Sequence, residues 1–169
     1  MKKIIYILLI IFILSFFIYE QEEILIPEDS IRFRIIANSN SEEDQALKKT
    51  IKKDLETQFF PLVENSKSKE ETEQIINNNE EIIKQTLNKY NIQYQIHYGD
   101  NYFPKKTYKG VTYSEGNYDS LVISLGEAQG NNWWCVMYPP LCLLDSKSDN
   151  IEDVEYTSYI RQILDKLTS

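Results

Sequence analysis

The sequence predicts an α+β fold: a mostly antiparallel sheet of four to five strands, an αα-hairpin packed on one face, and a C-terminal helix. Three observations carry this prediction. Apolar residues alternate in residues 31–37, 92–98 and 118–125, the period of a half-buried strand. Between the first two of these, apolar residues recur about every four positions in two successive runs, the period of amphipathic helices. The later strands are separated by short polar turns, which join antiparallel neighbours.

The chain opens with Met1-Lys2-Lys3, followed by residues 4–19, all apolar or aromatic except Ser15, and then by Glu20, Glu22 and Glu23. This pattern predicts a membrane-targeting segment over residues 1–19. As a helix its apolar stretch spans about 24 Å against a hydrocarbon core of about 30 Å, which is short for a permanent anchor. No small-residue cleavage site follows it, so signal peptide and uncleaved anchor both stay open. The lysines favour a cytoplasmic N-terminus and send the remainder outward.

Residues 20–30 read as a linker containing Pro27, and residues 31–145 as the globular domain. The first strand, IRFRIIA, ends at Asn38-Ser39-Asn40-Ser41. Ser39 with Glu42, and more weakly Ser41 with Asp44, have the spacing of a helix cap. Leu47, Ile51, Leu55 and Phe59 give that helix one apolar face, and Phe60-Pro61 stops it. Ser68 and Glu71 cap a second helix with Ile75, Ile76, Ile82, Ile83, Leu87 and Tyr90 on its buried side. Ile92, Tyr94, Ile96 and Tyr98 then alternate with Gln93, Gln95 and His97. Residues 105–113 read as an irregular or edge strand, and 118–125 as an interior strand whose neighbour is the next one, residues 133–138. Residues 146–169 supply a polar linker and a closing helix on Tyr156, Tyr159, Ile160, Ile163, Leu164 and Leu167.

Composition excludes several functions. Residues 1–19 hold two of the 18 basic residues and none of the 26 acidic ones, which leaves the rest of the chain at a net charge of about −10. Phosphate binding needs a basic surface, so no nucleic-acid partner is expected. Arg32 with Arg34, and Lys48, Lys49, Lys52 and Lys53, are the local basic groups; the lysines alternate with acids on a solvated helix. His97, Cys135 and Cys142 lack paired metal-ligand spacing, so no metal and no cofactor is expected. The glycines of Gly126-Glu127-Ala128-Gln129-Gly130 lack the Lys-Ser/Thr of a phosphate-binding loop. No small-molecule substrate is expected either.

Residues 126–142, GEAQGNNWWCVMYPPLC, concentrate both tryptophans and both cysteines. One enzymatic reading activates Cys135 or Cys142 with His97, as a Cys-His envelope hydrolase or thiol exchanger. Against it, Cys135 sits inside a strand, whereas reactive thiols favour helix N-termini or electropositive clefts. The two cysteines either form a disulfide across the Pro139-Pro140 reversal or pack as two buried thiols. Trp133 and Trp134 point to opposite sides of their strand, so one packs under the helices and the other faces away, into a covering element or into solvent. Trp133, Trp134, Tyr138, Pro139 and Pro140 are therefore the candidate partner-binding residues, since exposed Trp and Tyr beside a rigid turn suit a protein interface.

Residues 31–41 (IRFRIIANSNS) with Glu43-Asp44-Gln45-Ala46-Leu47-Lys48, and Asn132-Trp133-Trp134-Cys135-Val136 through Tyr138-Pro139-Pro140-Leu141-Cys142, resemble the stage II sporulation protein R family. Phe103-Pro104, Lys106-Thr107-Tyr108 and Gly116-Asn117-Tyr118 lie between them in the family's order. The resemblance covers about residues 30–145. Ser114-Glu115, Asp119 and Ala128 depart from the family pattern in turns. The resemblance implies a non-enzymatic, secreted signalling protein of endospore-forming bacteria, exported toward the septal intermembrane space. There it implies a protein partner, a membrane-embedded aspartic-type protease that processes a mother-cell sigma factor precursor.

Overall fold

In the computed structural model, residues 24–108, 111–142 and 160–165 are described. The elements run β1 (Ile24–Leu25), β2 (Ile31–Ile36), α1 (Glu42–Gln58), α2 (Phe60–Val63), α3 (Lys69–Asn78), α4 (Glu80–Asn88), β3 (Tyr94–Phe103), β4 (Lys106–Tyr108), β5 (Val111–Tyr113), β6 (Gly116–Leu125) and β7 (Asn132–Tyr138). Residues 160–165 are helical. The membrane-targeting segment and most of the linker to the closing helix lie outside the described residues. Within them, no helix is long and apolar enough to cross a membrane.

The main sheet has the order β3-β6-β2-β7. β3 pairs antiparallel with β6, and β7 antiparallel with β2, whereas β2 and β6 run parallel. The expected α+β class with a mostly antiparallel sheet is the architecture observed. One expectation is corrected: β6 and β7 do not lie side by side, because β2 inserts between them. A strand buried on both faces stabilises the sheet only from its interior. β2 is such a strand, with Ile31, Phe33 and Ile35 fully buried toward the helices and Arg32 fully buried on the other side.

Alternation divides the molecule into two cores. Toward the helices, Phe33 and Ile35 of β2, Leu121, Ile123 and Leu125 of β6, and Cys135 and Met137 of β7 pack against Ile51 and Leu55 of α1, Phe60 and Val63 of α2, Ile76 of α3, and Ile83 and Leu87 of α4. Each such aliphatic side chain contributes about 1.5–3 kcal/mol by leaving water. Away from the helices, Phe103, Val111, Tyr113, Tyr118, Trp134, Val136, Leu141 and Ile160 form a second core.

That second core exists because of a second sheet that the sequence did not announce. β4 and β5 pair antiparallel, and β1 adds parallel to β5, in the order β1-β5-β4. The residues read as a linker thus contribute a strand and the fully buried Ile26. The stretch read as one irregular strand over residues 105–113 is a hairpin.

The helical layer follows the sequence with two refinements. Ser41, not Ser39, caps α1 by accepting from the Asp44 N–H at 3.1 Å. Ser68 caps α3 by accepting from the Glu71 N–H, and the Glu71 carboxylate accepts in turn from the Lys67 N–H at 2.7 Å. The second expected helix breaks at Asn79, whose Nδ2 donates to the Ile75 carbonyl at 2.8 Å, so two short helices replace one long one.

Candidate functional site

The stretch from β6 to Cys142 is positioned from both ends. At its start, the loop after β6 is tied to the loop after β2. Gln129 and Gly130 donate from their backbones to the carbonyls of Asn38 and Ala37 at 3.0 and 2.9 Å. The Glu127 N–H donates to Asn38 Oδ1 at 2.9 Å, and the Asn131 N–H to Asn40 Oδ1 at 2.7 Å. Lys48 of α1 reaches across to the Asn131 carbonyl at 2.6 Å, and its burial pushes the ammonium pKa down. Gly126 adopts φ +54°, and a side chain there would run into Asn38.

Asp44 closes this network. It accepts from Ser39 Oγ and from Asn38 Nδ2 at 2.9 Å. Those bonds, Ser39's first, hold its carboxyl below the ordinary aspartate range.

β7 then delivers its two tryptophans to the two cores. Trp133 stands on the helix side, half-buried, its ring 6.1 Å from Phe33 and stacked on Phe60 at 6.4 Å. Lys52 lies over it with Nζ 4.6 Å from the ring centre. Trp134, 7% exposed, packs edge-on against Phe103 at 5.4 Å and Tyr113 at 5.3 Å. Neither indole is fully open to solvent, and Trp133 is the more accessible.

At the far end, Cys135 and Cys142 are joined by a disulfide with Cα atoms 5.1 Å apart. The Leu141 N–H donates to the Val136 carbonyl at 3.0 Å across the same reversal, and the Tyr138–Pro139 peptide is cis. Pro139 is buried, while Tyr138 and Pro140 are half-buried beside Trp133's side of the strand.

The Cys-His reading fails on geometry. His97 is on β3 and Cys135 on β7, the two outer strands of the sheet, three interstrand spacings or about 14 Å apart. His97 is opposite Val122, and Cys135 opposite Phe33, so alternation also puts them on different faces. Both sulfurs are committed to the bridge. The three residues weighed as metal ligands therefore do not converge, and no group of three or more His, Cys, Asp or Glu among the described residues is placed to hold a metal ion.

A group that sequence reasoning passed over sits behind Trp134. Arg32 is fully buried, with its guanidinium 3.4 Å from the Tyr118 ring centre and 5.1 Å from those of Phe103 and Trp134. Its Nη2 donates to the Ser114 carbonyl at 2.9 Å. Arg34 lies over Phe103 at 3.9 Å and donates to the Tyr102 carbonyl at 2.6 Å. Desolvation pushes Arg32 down to about 10 and lowers Arg34 as well. The alternation of IRFRI was the available signal: it sets both arginines on one face of a strand that has no exposed face.

A profile of the stage II sporulation protein R family matches residues 27–148. The chain belongs to the stage II sporulation protein R family. The match includes β2 through β7 and the disulfide loop, and so the core under the helices and all of the second core except Ile26 and Ile160 with its helix. Stage II sporulation protein R of Bacillus subtilis (strain 168) is 35% identical over 143 residues, 80% of this chain. The chain spans 64% of that relative's length. No solved structure matches it. Family membership assigns the protein a role in sporulation.

Proposed function

We propose that this protein is an exported signal that activates, by binding, a membrane-embedded aspartic-type protease in the forespore–mother cell intermembrane space, and so triggers processing of a mother-cell sigma factor precursor. Membership of the stage II sporulation protein R family is the observation that carries the reading. The N-terminal apolar segment takes the domain across or into the membrane. The contact surface is built on β7: Trp133, Tyr138 and Pro140 meet the protease, and the buried Trp134 and Pro139 hold them in place. Such half-buried aromatics on a rigid strand lose little conformational freedom on binding, which is why they serve as interface anchors. The disulfide acts structurally, fastening the exit of β7, and no thiol chemistry takes part.

Co-expression tests the reading. The full chain, the protease and the sigma factor precursor are produced together in a host that does not sporulate. Processing that depends on the chain is the expected result; processing that proceeds equally without it would overturn the proposal.

A further inference from the structure

We infer that Arg34 and Lys106, with Arg32 buried behind them, form a carboxylate-binding site that takes an acidic side chain from an extended segment of a partner protein. Three observations converge on it. The first is unneutralised charge. Arg34 lies over Phe103 and stands opposite Trp134 in the β2–β7 register, and Lys106 Nζ lies 5.0 Å from the centre of Trp134, whose ring is 5.4 Å from Phe103. Arg32 sits behind them on Tyr118. The described lysines that do pair with acids are elsewhere, Lys52, Lys69, Lys84 and Lys89. No carboxylate of the described residues pairs with Arg32, Arg34 or Lys106, although acids outnumber bases by 26 to 18 in the chain.

The second observation is unused donors. Nε and Nη1 of Arg32 and Nε of Arg34 are buried without a hydrogen-bond partner. Ring faces offset part of the charge of a guanidinium. They do not replace the in-plane acceptors that its N–H groups need, and a buried donor without an acceptor is costly. A carboxylate at the half-buried Arg34 guanidinium supplies an acceptor of matching planar geometry, and its charge offsets that of Arg32 behind it.

The third is access. Arg34 is only half-buried and donates to the carbonyl of Tyr102, the most open large aromatic of the described residues at 57%, and Lys106 is exposed. The acid at this rim is Glu115, which accepts from the Tyr102 hydroxyl at 3.4 Å. A single acidic side chain on an extended segment can approach Arg34 and Lys106 from the solvent side. A flat anionic membrane surface reaches only the rim and meets the acidic remainder of the domain, which repels it. The inference rests on the proposed binding role, and it places a second contact on the face of β7 opposite Trp133.

The test needs no protease. The full-length protein in non-ionic detergent is titrated at constant ionic strength with hexaglutamate, hexaglutamine, inorganic phosphate and phosphatidylglycerol vesicles, with tryptophan emission and thermal unfolding as readouts. Hexaglutamate is expected to saturate, to shift the emission and to raise the melting temperature, with phosphate and hexaglutamine at least tenfold weaker. Lys106→Gln, an exposed change that leaves the core intact, and Arg34→Gln are each expected to weaken hexaglutamate at least tenfold; Lys89→Gln is expected to leave it unchanged. No saturable response to hexaglutamate, an equal response in Lys106→Gln, or tighter binding to vesicles than to hexaglutamate would overturn the site. Hexaglutamate binding with chain-independent sigma factor processing would leave the site standing and the signalling role refuted.

Discussion

Trp133 and Trp134 are adjacent in the chain and lie in different cores, one against Phe33 and Phe60 under the helices, the other against Phe103 and Tyr113 under the second sheet. A strand's alternation forces this, and a second covering layer makes it affordable. The pair therefore separates stability from contact. Trp134→Ala empties a buried site and is expected to cost about 3–5 kcal/mol. Trp133→Ala removes a half-buried ring and is expected to cost less, about 2 kcal/mol, because part of its surface is already in water. Urea unfolding of the two variants, read as a shift in midpoint, measures the difference.

The disulfide contributes through the unfolded chain. Closing the short loop between Cys135 and Cys142 is expected to contribute about 2.5 kcal/mol by the chain-entropy estimate. Melting curves with and without reductant should differ by that amount, and the Cys135→Ser/Cys142→Ser double variant should no longer respond to reductant. If the folded double variant still signals, thiol chemistry is excluded.

Asp44 makes stability sensitive to acid. Its pKa is lowered in the folded state by the Ser39 and Asn38 hydrogen bonds, so its contribution is present above the ordinary aspartate range, near pH 4, and is lost as pH falls through the folded value. Thermal unfolding of the wild type and of Asp44→Asn should therefore differ at neutral pH and converge in acid. Curves that stay parallel down to pH 2 would contradict this account of the β2–α1 loop.

Gly126→Ala tests the stitching of the two loops that position β7. At φ +54° alanine is strained, and its Cβ would displace Asn38, which serves both Glu127 and Asp44. A loss of more than about 1 kcal/mol is expected in chemical denaturation.

Local features of this fold were legible in the sequence, and non-local ones were not. The helix caps at Ser41 and Ser68, the alternation of β3 and the Pro-Pro exit of β7 each depend on residues a few positions apart. Ser41 rather than Ser39 is the cap because the helix begins at Glu42, and the Ser39 oxygen accepts instead from the Ser41 N–H while its hydroxyl donates to the Asp44 carboxylate. The parallel pairing of β2 with β6, which separates β6 from β7, brings together residues some ninety positions apart and leaves no local trace. The same is true of β1 against β5. Without that second sheet, Arg32 and Arg34 read as surface charges. With it, Arg32 is buried, and IRFRI is a strand with two interiors.

In the proposed function, the Trp133 side of β7 contacts the protease. The most direct measurement is sigma factor precursor processing by the Trp133→Ala chain in the co-expression system, with its unfolding curve recorded alongside. A cooperatively folded variant that no longer supports processing is the predicted result. Normal processing by that folded variant would contradict the account.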